Sequence, residues 1–343
     1  MAAKHWRAGL LALLLLAGDK AMTEPRTPLV IAHRGASGYL PEHTLAAKAL
    51  AHGMGADFIE QDVVLTRDGV PIVLHDIYLD ATTDVASRFP ARARNDGRFY
   101  AIDFDLSEIR QLQALERLEP DGSPVFPGRF PPGPTGLAVP TLAEEIALIS
   151  GLNASRSREA GLYIELKAPR FHRREGQDIA VRILEVLAAS GYAERSDAVF
   201  LQCFDDATLR YLREDLKTPL PLIQLIADNS WGEDSEVDYA HLQTDQGLAE
   251  IARYADGIGP WLMQIYQGPG PDGEPRFTDL VARAHARQLA VHPYTFRRDQ
   301  LPPGIASFER LLELFIEELG VDGLFTDFPD LAREHIDRID KTR

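Results

Sequence analysis

Short apolar runs recur along the chain and alternate with stretches in which apolar residues recur at helical spacing. One such stretch contains Ile183, Leu184 and Leu187. The apolar runs have the length and the residue types of buried strands. They span residues 28–35, 57–66, 71–76, 161–169, 198–205, 221–226, 256–260, 289–295 and 323–329. Strands that alternate with helices predict a parallel sheet with helical crossovers.

The second and third runs are joined by a turn instead of a helix. Asp68 and Gly69 form a dipeptide that is a strong hairpin signal, so 71–76 is expected to return antiparallel to 57–66. The eight remaining strands predict an α/β fold, a (β/α)8 TIM-like barrel. A doubly wound open sheet is the alternative, but no G-x-G-x-x-G sequence follows the first run.

Residues 77–139 break the alternation and contain no clear strand–helix unit. The middle of the segment is basic, and its end, "PDGSPVFPGRFPPGPTG", is dense in Pro and Gly. We expect an insertion of about 60–70 residues after the hairpin, beside the mouth of the barrel, because long loops in compact domains are commonly functional or form a subdomain. A solvated flap without a catalytic role is the alternative.

Composition narrows the classes of partner. The chain has 343 residues, 45% of them hydrophobic, and a net charge of −16. The hydrophobic content is ample for a large core. The negative charge argues against general binding to nucleic acid or anionic membranes, because such partners demand basic surfaces. The charge of a phosphate substrate would therefore be met locally, by a metal or a few basic residues.

The first 22 residues are typical of a secretory signal peptide. Lys4 and Arg7 precede an apolar run at 8–18, which is too short to span a bilayer. We expect export, no stable membrane insertion after the signal is removed, and a barrel domain at 28–343. Cys203 is the only cysteine, so the chain forms no internal disulfide.

Charged and titratable side chains stand near the carboxyl ends of the predicted strands. Such residues are unusual on strands that are otherwise apolar. Catalytic residues of (β/α)8 barrels lie at these ends. The residues are His33, Arg34, Glu60, Asp62, His75, Asp76, Glu165 and Lys167. Because they come from neighbouring strands, we expect them to share one site.

Three of these residues form a candidate metal site. Glu60 and Asp62 are two positions apart on one strand, so both carboxylates point to the same face. Carboxylates repel each other in a low-dielectric site unless a cation lies between them or one is protonated. Together with Glu165, the all-oxygen set suits Ca²⁺ or Mg²⁺ better than Zn²⁺. The alternative is a strand face that forms salt bridges with Lys167 and Arg34.

His33 and His75 are candidates for general acid and base, because the pKa of histidine lies near neutrality. They end two segments that converge at the predicted mouth, and a charged residue follows each of them directly. Four polar residues near other strand ends are candidates for the pocket wall or for the core: Gln202, His292, Tyr294 and Asp327. The histidines expected on helices or at the surface are His52, His172, His241, His285 and His335.

The ordered motifs resemble those of the bacterial periplasmic glycerophosphodiester phosphodiesterases. The resemblance runs from about Pro28 to about Leu331 and rests on "HRGASGYLPEHT", "GADFIEQDVVLTRDGVPIVLHD", "YIELKAP", "LQCFD", "YADGIGP", "VHPYT" and "GLFTDFPD". It includes the inserted pieces "TTDVASRFPARARNDGRFYAIDF" and "PGRFP". Many members of the wider family differ from this chain at His43, where they have Asn, and near "VHPYT", where they have Trp in place of Tyr294 or Phe296.

The resemblance implies a (β/α)8 barrel with an insertion after the histidine–aspartate motif. It also implies a periplasmic enzyme that uses one divalent cation, with Ca²⁺ favoured over Mg²⁺. The implied reaction is hydrolysis of glycerophosphodiesters, such as glycerophosphocholine, glycerophosphoethanolamine and glycerophosphoglycerol, to sn-glycerol 3-phosphate and an alcohol. By motif, the catalytic histidines of the family correspond to His33 and His75. Its metal carboxylates correspond to Glu60, Asp62 and Glu165. Its phosphate-contacting residues correspond to Arg34 and Lys167. Apart from the resemblance, three aromatic residues are candidates for contact with glycerol or the leaving group, with packing in the core as the default alternative: Phe204, Trp231 and Trp261.

Three other functions fit parts of the pattern. A phospholipase acting on lysophospholipids would need an apolar surface near the mouth, for which the insertion offers Phe89, Phe99 and Phe126. A sugar hydrolase also uses paired carboxylates on a barrel, but two histidines and the basic residues fit phosphate better. A binding protein with a decayed site is disfavoured, because both histidines and all three carboxylates are present.

Overall fold

Parallel strands joined by helices form the body of the computed structural model, which describes residues 27–342. The expected signal peptide, residues 1–22, lies outside the described residues. In chain order the strands are β1 Leu29–Ala32, β2 Phe58–Leu65, β3 Pro71–Val73, β4 Gly161–Leu166, β5 Val199–Cys203, β6 Leu222–Ile226, β7 Gly257–Pro260, β8 Tyr266–Pro269, β9 Pro275–Phe277, β10 Ala290–Val291 and β11 Gly323–Thr326.

Eight of these strands form a single parallel sheet in the order β10-β7-β6-β5-β4-β2-β1-β11. Backbone hydrogen bonds join its two end strands: Asp322 N donates to Val291 O over 3.1 Å, and Phe325 N donates to Pro293 O over 3.0 Å. The predicted (β/α)8 TIM-like barrel is therefore confirmed, and the doubly wound open sheet is excluded. β3 pairs antiparallel with β2, as the hairpin signal predicts.

A second hairpin, formed by β8 and β9, is absent from the predicted set. Its turn is closed by a hydrogen bond from Gly270 N to Glu274 O over 2.8 Å and contains an Asp-Gly dipeptide at Asp272. Strands of three and four residues are too short to show a reliable alternation of apolar and polar positions, so the turn alone indicates this hairpin.

Helices occupy most of the crossovers between the barrel strands. In chain order the α-helices are α1 Leu45–Met54, α2 Val85–Arg88, α3 Leu106–Ile109, α4 Leu142–Arg156, α5 Pro169–Arg174, α6 Ile179–Ala189, α7 Asp206–Arg210, α8 Tyr239–Leu242, α9 Asp245–Ile251, α10 Leu280–His285, α11 Phe308–Glu313 and α12 Pro329–Thr342. α7 and α11 continue as π-helical turns over Tyr211–Asp215 and Leu314–Glu318, and 3₁₀ turns cover Ala101–Asp103 and Leu262–Gln264. Within residues 27–342, no helix has the length and apolar character needed to cross a membrane.

Local sequence explains where these elements begin and why the strands are apolar. Thr141 and Glu144 form the capping box predicted for α4, and Ser307 caps α11 by accepting a hydrogen bond from Arg310 N. All eight residues of β2 are buried. Strands of a parallel barrel are covered on both faces, which explains why their sequences read as continuous apolar runs.

An aromatic layer fills part of the barrel interior. Tyr163 stacks on Phe200 with 4.9 Å between the ring centroids, and it meets Phe325 edge-on at the same separation. Side chains two positions apart on a strand share a face, so Glu165 follows Tyr163 and Gln202 follows Phe200 on the inner wall. The aromatic layer therefore forms the floor above which the polar strand ends meet.

The inserted segment, residues 77–139, packs against the outside of the β2–β3 hairpin. Its buried apolar residues, which include Leu79 and Phe104, share one cluster with Val64 and Ile72 of the hairpin. The segment contains α2, α3 and a 3₁₀ turn, and the rest has no regular structure. It is thus a small packed layer on the side of the barrel and differs from a solvated flap.

His172 is one of the histidines expected on helices or at the surface; it lies on α5, and its side chain is buried. The residue is 1% exposed, and neither ring nitrogen has a hydrogen-bond partner among residues 27–342. Burial lowers the pKa of His172 to about 4, against the opposing charge of Asp234. The folded protein therefore holds this ring in its neutral form at neutral pH.

We expect His172 to make stability depend on pH. The unfolded chain binds a proton at this residue below about pH 6.5, whereas the folded chain does so only near pH 4. The free energy of unfolding therefore falls as the pH is lowered through this window, by about 3 kcal/mol for this group. Urea unfolding at the two ends of this pH window gives the change in the free energy of unfolding. We expect this change to be smaller in His172→Phe than in the wild type. The control is His241→Phe, and an unchanged difference in His172→Phe contradicts the prediction.

Candidate active site

All seven residues predicted for the site line one cavity at the carboxyl end of the barrel strands. The cavity has a volume of about 350 Å³. Its wall consists of His33, Arg34, Glu60, Asp62, His75, Glu165, Lys167, Gln202, Phe204, Leu225, Trp231, Glu233, Trp261, Tyr294, Thr295, Arg297 and Phe325. Of the additional candidates, Gln202 and Tyr294 line this cavity, whereas His292 is buried beside Tyr163 in the aromatic layer.

The turn after β1 explains why this strand ends in His33 and Arg34. Arg34 and Gly35 adopt positive φ angles of 57° and 89°, and a Cβ atom at Gly35 would lie 2.9 Å from the carbonyl carbon of Ala47. Only glycine fits there without displacing the backbone. The turn carries the Arg34 amide to Glu60, where it donates a hydrogen bond to Oε2 over 2.9 Å.

Glu60, Asp62 and Glu165 form an acidic cluster. One carboxylate oxygen from each residue lies within 4.8 Å of the other two, and the register of β2 with β4 sets Asp62 opposite Glu165. All three residues are buried. Gln202 donates to Glu60 Oε1 over 2.9 Å, but the buried Asp62 Oδ1 accepts no hydrogen bond from the part of the chain that the structure describes. The cluster therefore has buried acceptor capacity for a cation.

The protein alone does not keep all three carboxylates charged at neutral pH. Burial and the charge of Asp62 raise the pKa of Glu60 to about 8. Burial also raises the pKa of Glu165 well above its ordinary value, despite the ammonium of Lys167. For Asp62, burial acts in the same direction, but His43, His75 and Lys167 together outweigh it and hold the pKa well below the ordinary value. A cation in the cluster would favour the ionised form of every member.

A carboxylate behind His33 fixes its ring. His33 Nδ1 lies 2.6 Å from Asp327 Oδ1, and because an ionised carboxylate only accepts hydrogen bonds, Nδ1 carries the proton. The other nitrogen, Nε2, lies 3.9 Å from Glu60 Oε2. Burial and the charge of Arg34 lower the pKa of His33 to about 4, so Nε2 is a free proton acceptor at neutral pH.

His75 has the same arrangement on the hairpin arm. Its Nδ1 lies 2.6 Å from Asp76 Oδ1, and its Nε2 lies 3.4 Å from Lys167 Nζ. Burial and the charges of Arg34 and Lys167 lower the pKa of His75 to about 4. Two neutral histidines, each oriented by an aspartate, therefore line the same cavity.

Two basic side chains complete the polar part of the cavity. Arg34 Nη1 lies 3.0 Å from Glu42 Oε2, and Arg34 Nε lies 3.4 Å from Asp62 Oδ2. Lys167 Nζ lies 2.7 Å from Glu165 Oε1. These contacts hold the Arg34 and Lys167 side chains beside the acidic cluster, where their positive charges can offset the negative charge of a bound phosphate.

Two arginines of the inserted segment hold the aspartates that orient the histidines, and neither is among the residues predicted for the site. Arg117 Nη1 donates to Asp76 Oδ2 over 2.7 Å, and Arg129 Nη2 donates to Asp327 Oδ2 over 2.8 Å. No pattern identifies these arginines, because the segment around them has no regular period. Asp327 is one of the polar candidates named from the sequence, and it follows β11 directly, as His33 follows β1.

A buried chain of polar groups supports Asp62 from the helix side. His43 Nε2 donates to Asp62 Oδ2 over 2.8 Å, and Lys48 Nζ donates to His43 Nδ1 over 3.1 Å. Lys48 also pairs with Glu145 Oε2 over 3.3 Å, and both side chains are fully buried. Lys48 and Glu145 lie on the apolar faces of α1 and α4, and charged residues at such positions are the feature of the sequence that indicates a buried polar network.

Comparison with known proteins identifies the family. The model of the glycerophosphoryl diester phosphodiesterase family matches residues 33–331. A glycerophosphodiester phosphodiesterase of Haemophilus influenzae is 41% identical over 325 residues, which cover 90% of this chain and 89% of the relative. The chain belongs to the glycerophosphoryl diester phosphodiesterase family. It is accordingly an enzyme, a phosphoric diester hydrolase, and the family resemblance stated from its motifs is confirmed.

Further relatives agree with this assignment. A glycerophosphodiester phosphodiesterase of Treponema pallidum is 37% identical and covers 89% of this chain, with 90% of the relative matched. A crystal structure from Silicibacter pomeroyi matches with a TM-score of 0.68 and 25% identity, covering 92% of this chain and 95% of that one. A phosphodiesterase of Oleispira antarctica, solved with the product sn-glycerol-3-phosphate, shares the fold at a TM-score of 0.59 and 22% identity, with 91% and 97% of the two chains covered.

Asp327→Asn is expected to lower kcat for phosphodiester hydrolysis by about 10- to 100-fold, with a smaller effect on KM. The amide keeps the size of the side chain but no longer restricts the His33 proton to Nδ1. Steady-state kinetics on protein whose folding is checked by circular dichroism measures the effect. Asp299→Asn is the matched control, because Asp299 also binds Arg129 but does not contact His33. A wild-type kcat in Asp327→Asn contradicts the positioning role.

Proposed function

We propose that the protein hydrolyses glycerophosphodiesters to sn-glycerol 3-phosphate and an alcohol, by a reaction that depends on one divalent cation and two histidines. The observation that carries the proposal is one cavity lined by three carboxylates, two histidines and two basic side chains, with an aspartate hydrogen-bonded to each histidine. The names of the two most similar relatives described above support the substrate class.

The cation would be held by Glu60, Asp62 and Glu165. Their oxygen-only donor set and the unpartnered Asp62 Oδ1 fit a hard ion. We favour Ca²⁺ over Mg²⁺, because Ca²⁺ tolerates irregular ligand geometry and Mg²⁺ demands a nearly ideal octahedron. When bound, such an ion offsets negative charge on the phosphate and polarises its oxygens.

Arg34 and Lys167 would bind the phosphate oxygens from the cavity wall. Arg34 presents a planar set of donors, and Lys167 presents a compact positive charge. Both already contact members of the acidic cluster, so a phosphate that binds there meets the two cations together. This local positive charge explains how a protein with a net charge of −16 can bind an anionic substrate.

His33 and His75 would share the two proton transfers. One takes the proton of the nucleophile while the bond between phosphorus and the leaving oxygen breaks, and the other donates a proton to the departing alcohol. Asp327 and Asp76 keep Nδ1 protonated and stabilise each ring when it becomes charged. The nucleophile is water, or the glycerol hydroxyl of the substrate followed by hydrolysis of the cyclic phosphate by water.

The release of sn-glycerol 3-phosphate from glycerophosphocholine by the purified protein tests the proposed function. We expect turnover with glycerophosphocholine and none with lysophosphatidylcholine, because the described cavity is polar around the phosphate-binding residues. Turnover of the lysophospholipid alone would contradict the proposal and would instead indicate a phospholipase.

We also propose that the protein is exported to the periplasm. Lys4, Arg7 and the apolar run at 8–18 support this location. The test is N-terminal sequencing of the protein recovered from a periplasmic fraction. A mature amino terminus near residue 22 is expected, whereas recovery of the intact chain from the cytosol would contradict export.

A further inference from the structure

We propose that Trp231, Glu233 and Trp261 form a subsite for an ammonium-bearing leaving alcohol of the choline type. We call these three residues the aromatic–acid wall of the cavity. The inference rests on the proposed phosphodiesterase function and deepens it, because it names the chemical class of alcohol that the enzyme releases most efficiently.

The two tryptophans offer indole surface at the cavity. Trp231 and Trp261 both line it, and their rings meet edge-on with 5.1 Å between the centroids. Trp231 is 44% exposed, and among residues 27–342 only Leu45 is another large hydrophobic side chain with high exposure. Tryptophan is the aromatic side chain that binds cations most strongly through its ring face, and quaternary ammonium groups are typical ligands.

Glu233 supplies an unpaired negative charge next to these rings. Its neighbours on the same loop are paired: Asp234 binds Arg174 over 2.9 Å, and Glu236 binds Arg170. The carboxylate of Glu233 lines the cavity and has no hydrogen-bond or ion-pair partner within the described chain. Such a group attracts an ammonium and repels a leaving group that carries a second negative charge.

The aromatic–acid wall adjoins the residues that would bind the phosphate. The ring of Phe204, which also lines the cavity, lies 5.5 Å from Lys167 Nζ. Lys167 and the three residues of the wall line this same cavity. A substrate whose phosphate contacts Lys167 can therefore extend its alcohol toward the wall.

The loop that carries Trp231 and Glu233 is held in place before any ligand binds. Trp231 N donates to Asp228 O over 3.0 Å, and Ser230 Oγ donates to Asp228 Oδ1 over 2.6 Å. Asn229 Nδ2 donates to Asp238 Oδ1 over 2.9 Å at the other end of the loop. A preformed site loses less conformational freedom on binding, so its contacts contribute more fully to affinity.

A pair of isosteric substrates tests the subsite. The 3,3-dimethylbutyl ester of glycerol 3-phosphate has the shape of glycerophosphocholine but a carbon in place of the ammonium nitrogen, and both release sn-glycerol 3-phosphate. We expect the wild type to show about a tenfold higher kcat/KM for the choline ester, mainly through KM. In Trp231→Leu and Glu233→Gln the ratio should fall toward one. Glu236→Gln, on the same loop, should keep the wild-type ratio.

The outcomes separate this inference from the function on which it rests. If the protein hydrolyses neither ester, this result contradicts the proposed function and, with it, the subsite. Equal kcat/KM values for the two esters in the wild type overturn the subsite and leave the phosphodiesterase function standing. A wild-type preference that persists unchanged in both Trp231→Leu and Glu233→Gln also overturns it, because the preference then comes from other residues.

Discussion

Glu165→Gln is expected to weaken binding of the divalent cation by at least about 100-fold and to lower activity accordingly at a limiting concentration of the ion. The substitution keeps the size of the side chain but removes one of the three carboxylates of the acidic cluster. It also leaves Lys167 without its ion-pair partner at 2.7 Å. Titration of the purified, metal-free protein with Ca²⁺ in a calorimeter measures the affinity directly.

A matched control separates loss of the cation site from a general effect of charge. Glu185→Gln removes a carboxylate on the outer helix α6, where it pairs with Arg182. This variant should bind the cation as the wild type does. Wild-type Ca²⁺ affinity in Glu165→Gln would contradict the assignment of Glu165 as a ligand, whatever the effect on turnover.

His33→Gln and His75→Gln are each expected to lower kcat by about 10²- to 10⁴-fold, the usual contribution of general acid or base catalysis. Glutamine can still form hydrogen bonds to Asp327 or Asp76, but it cannot take up a proton. The cation affinity measured by the same titration should change little, which distinguishes lost proton transfer from a lost cation.

The control for the histidine variants is His241→Gln, on α8 outside the cavity, where the ring contacts Glu250. It should keep the wild-type kcat. If either His33→Gln or His75→Gln keeps the wild-type kcat, that histidine has no role in proton transfer. If only one of the two variants keeps the wild-type kcat, the histidine that is essential in the other variant performs both proton transfers, or water performs one of them.

The barrel could be predicted from the sequence because its signals are local. β2 is an apolar run with carboxylates at alternate positions, and the spacing of Glu60 and Asp62 sets both on the inner face, whereas the apolar run of β4 carries one carboxylate, Glu165. The capping box at Thr141 and the hairpin turn after β2 are equally local. Each of these features depends on residues that are near one another in the chain.

The supporting residues of the site could not be predicted in the same way. Arg117 and Arg129 reach Asp76 and Asp327 from a segment without regular period, and the second contact spans 198 positions in the chain. The pairing of these residues is set by tertiary packing of the inserted segment on the hairpin, which leaves no trace in local periodicity.

His43 shows a third case, in which the residue was visible but its role was not. It lies in the motif "HRGASGYLPEHT", yet its contacts with Lys48 and Asp62 depend on how α1 packs against β2. Tyr294 and Phe296, in the loop after β10, were also visible in the sequence without a clear role. The structure puts Tyr294 on the cavity wall and buries Phe296 completely.

The dependence of product release on a single added ion tests the central claim most directly. Release of sn-glycerol 3-phosphate from glycerophosphocholine would be measured after chelation and again after Ca²⁺ or Mg²⁺ is restored, for the wild type and for Glu60→Gln. We predict that chelation abolishes release, that Ca²⁺ restores it more fully than Mg²⁺, and that neither ion restores Glu60→Gln. Full activity of the wild type in excess chelator would contradict the proposed cation site.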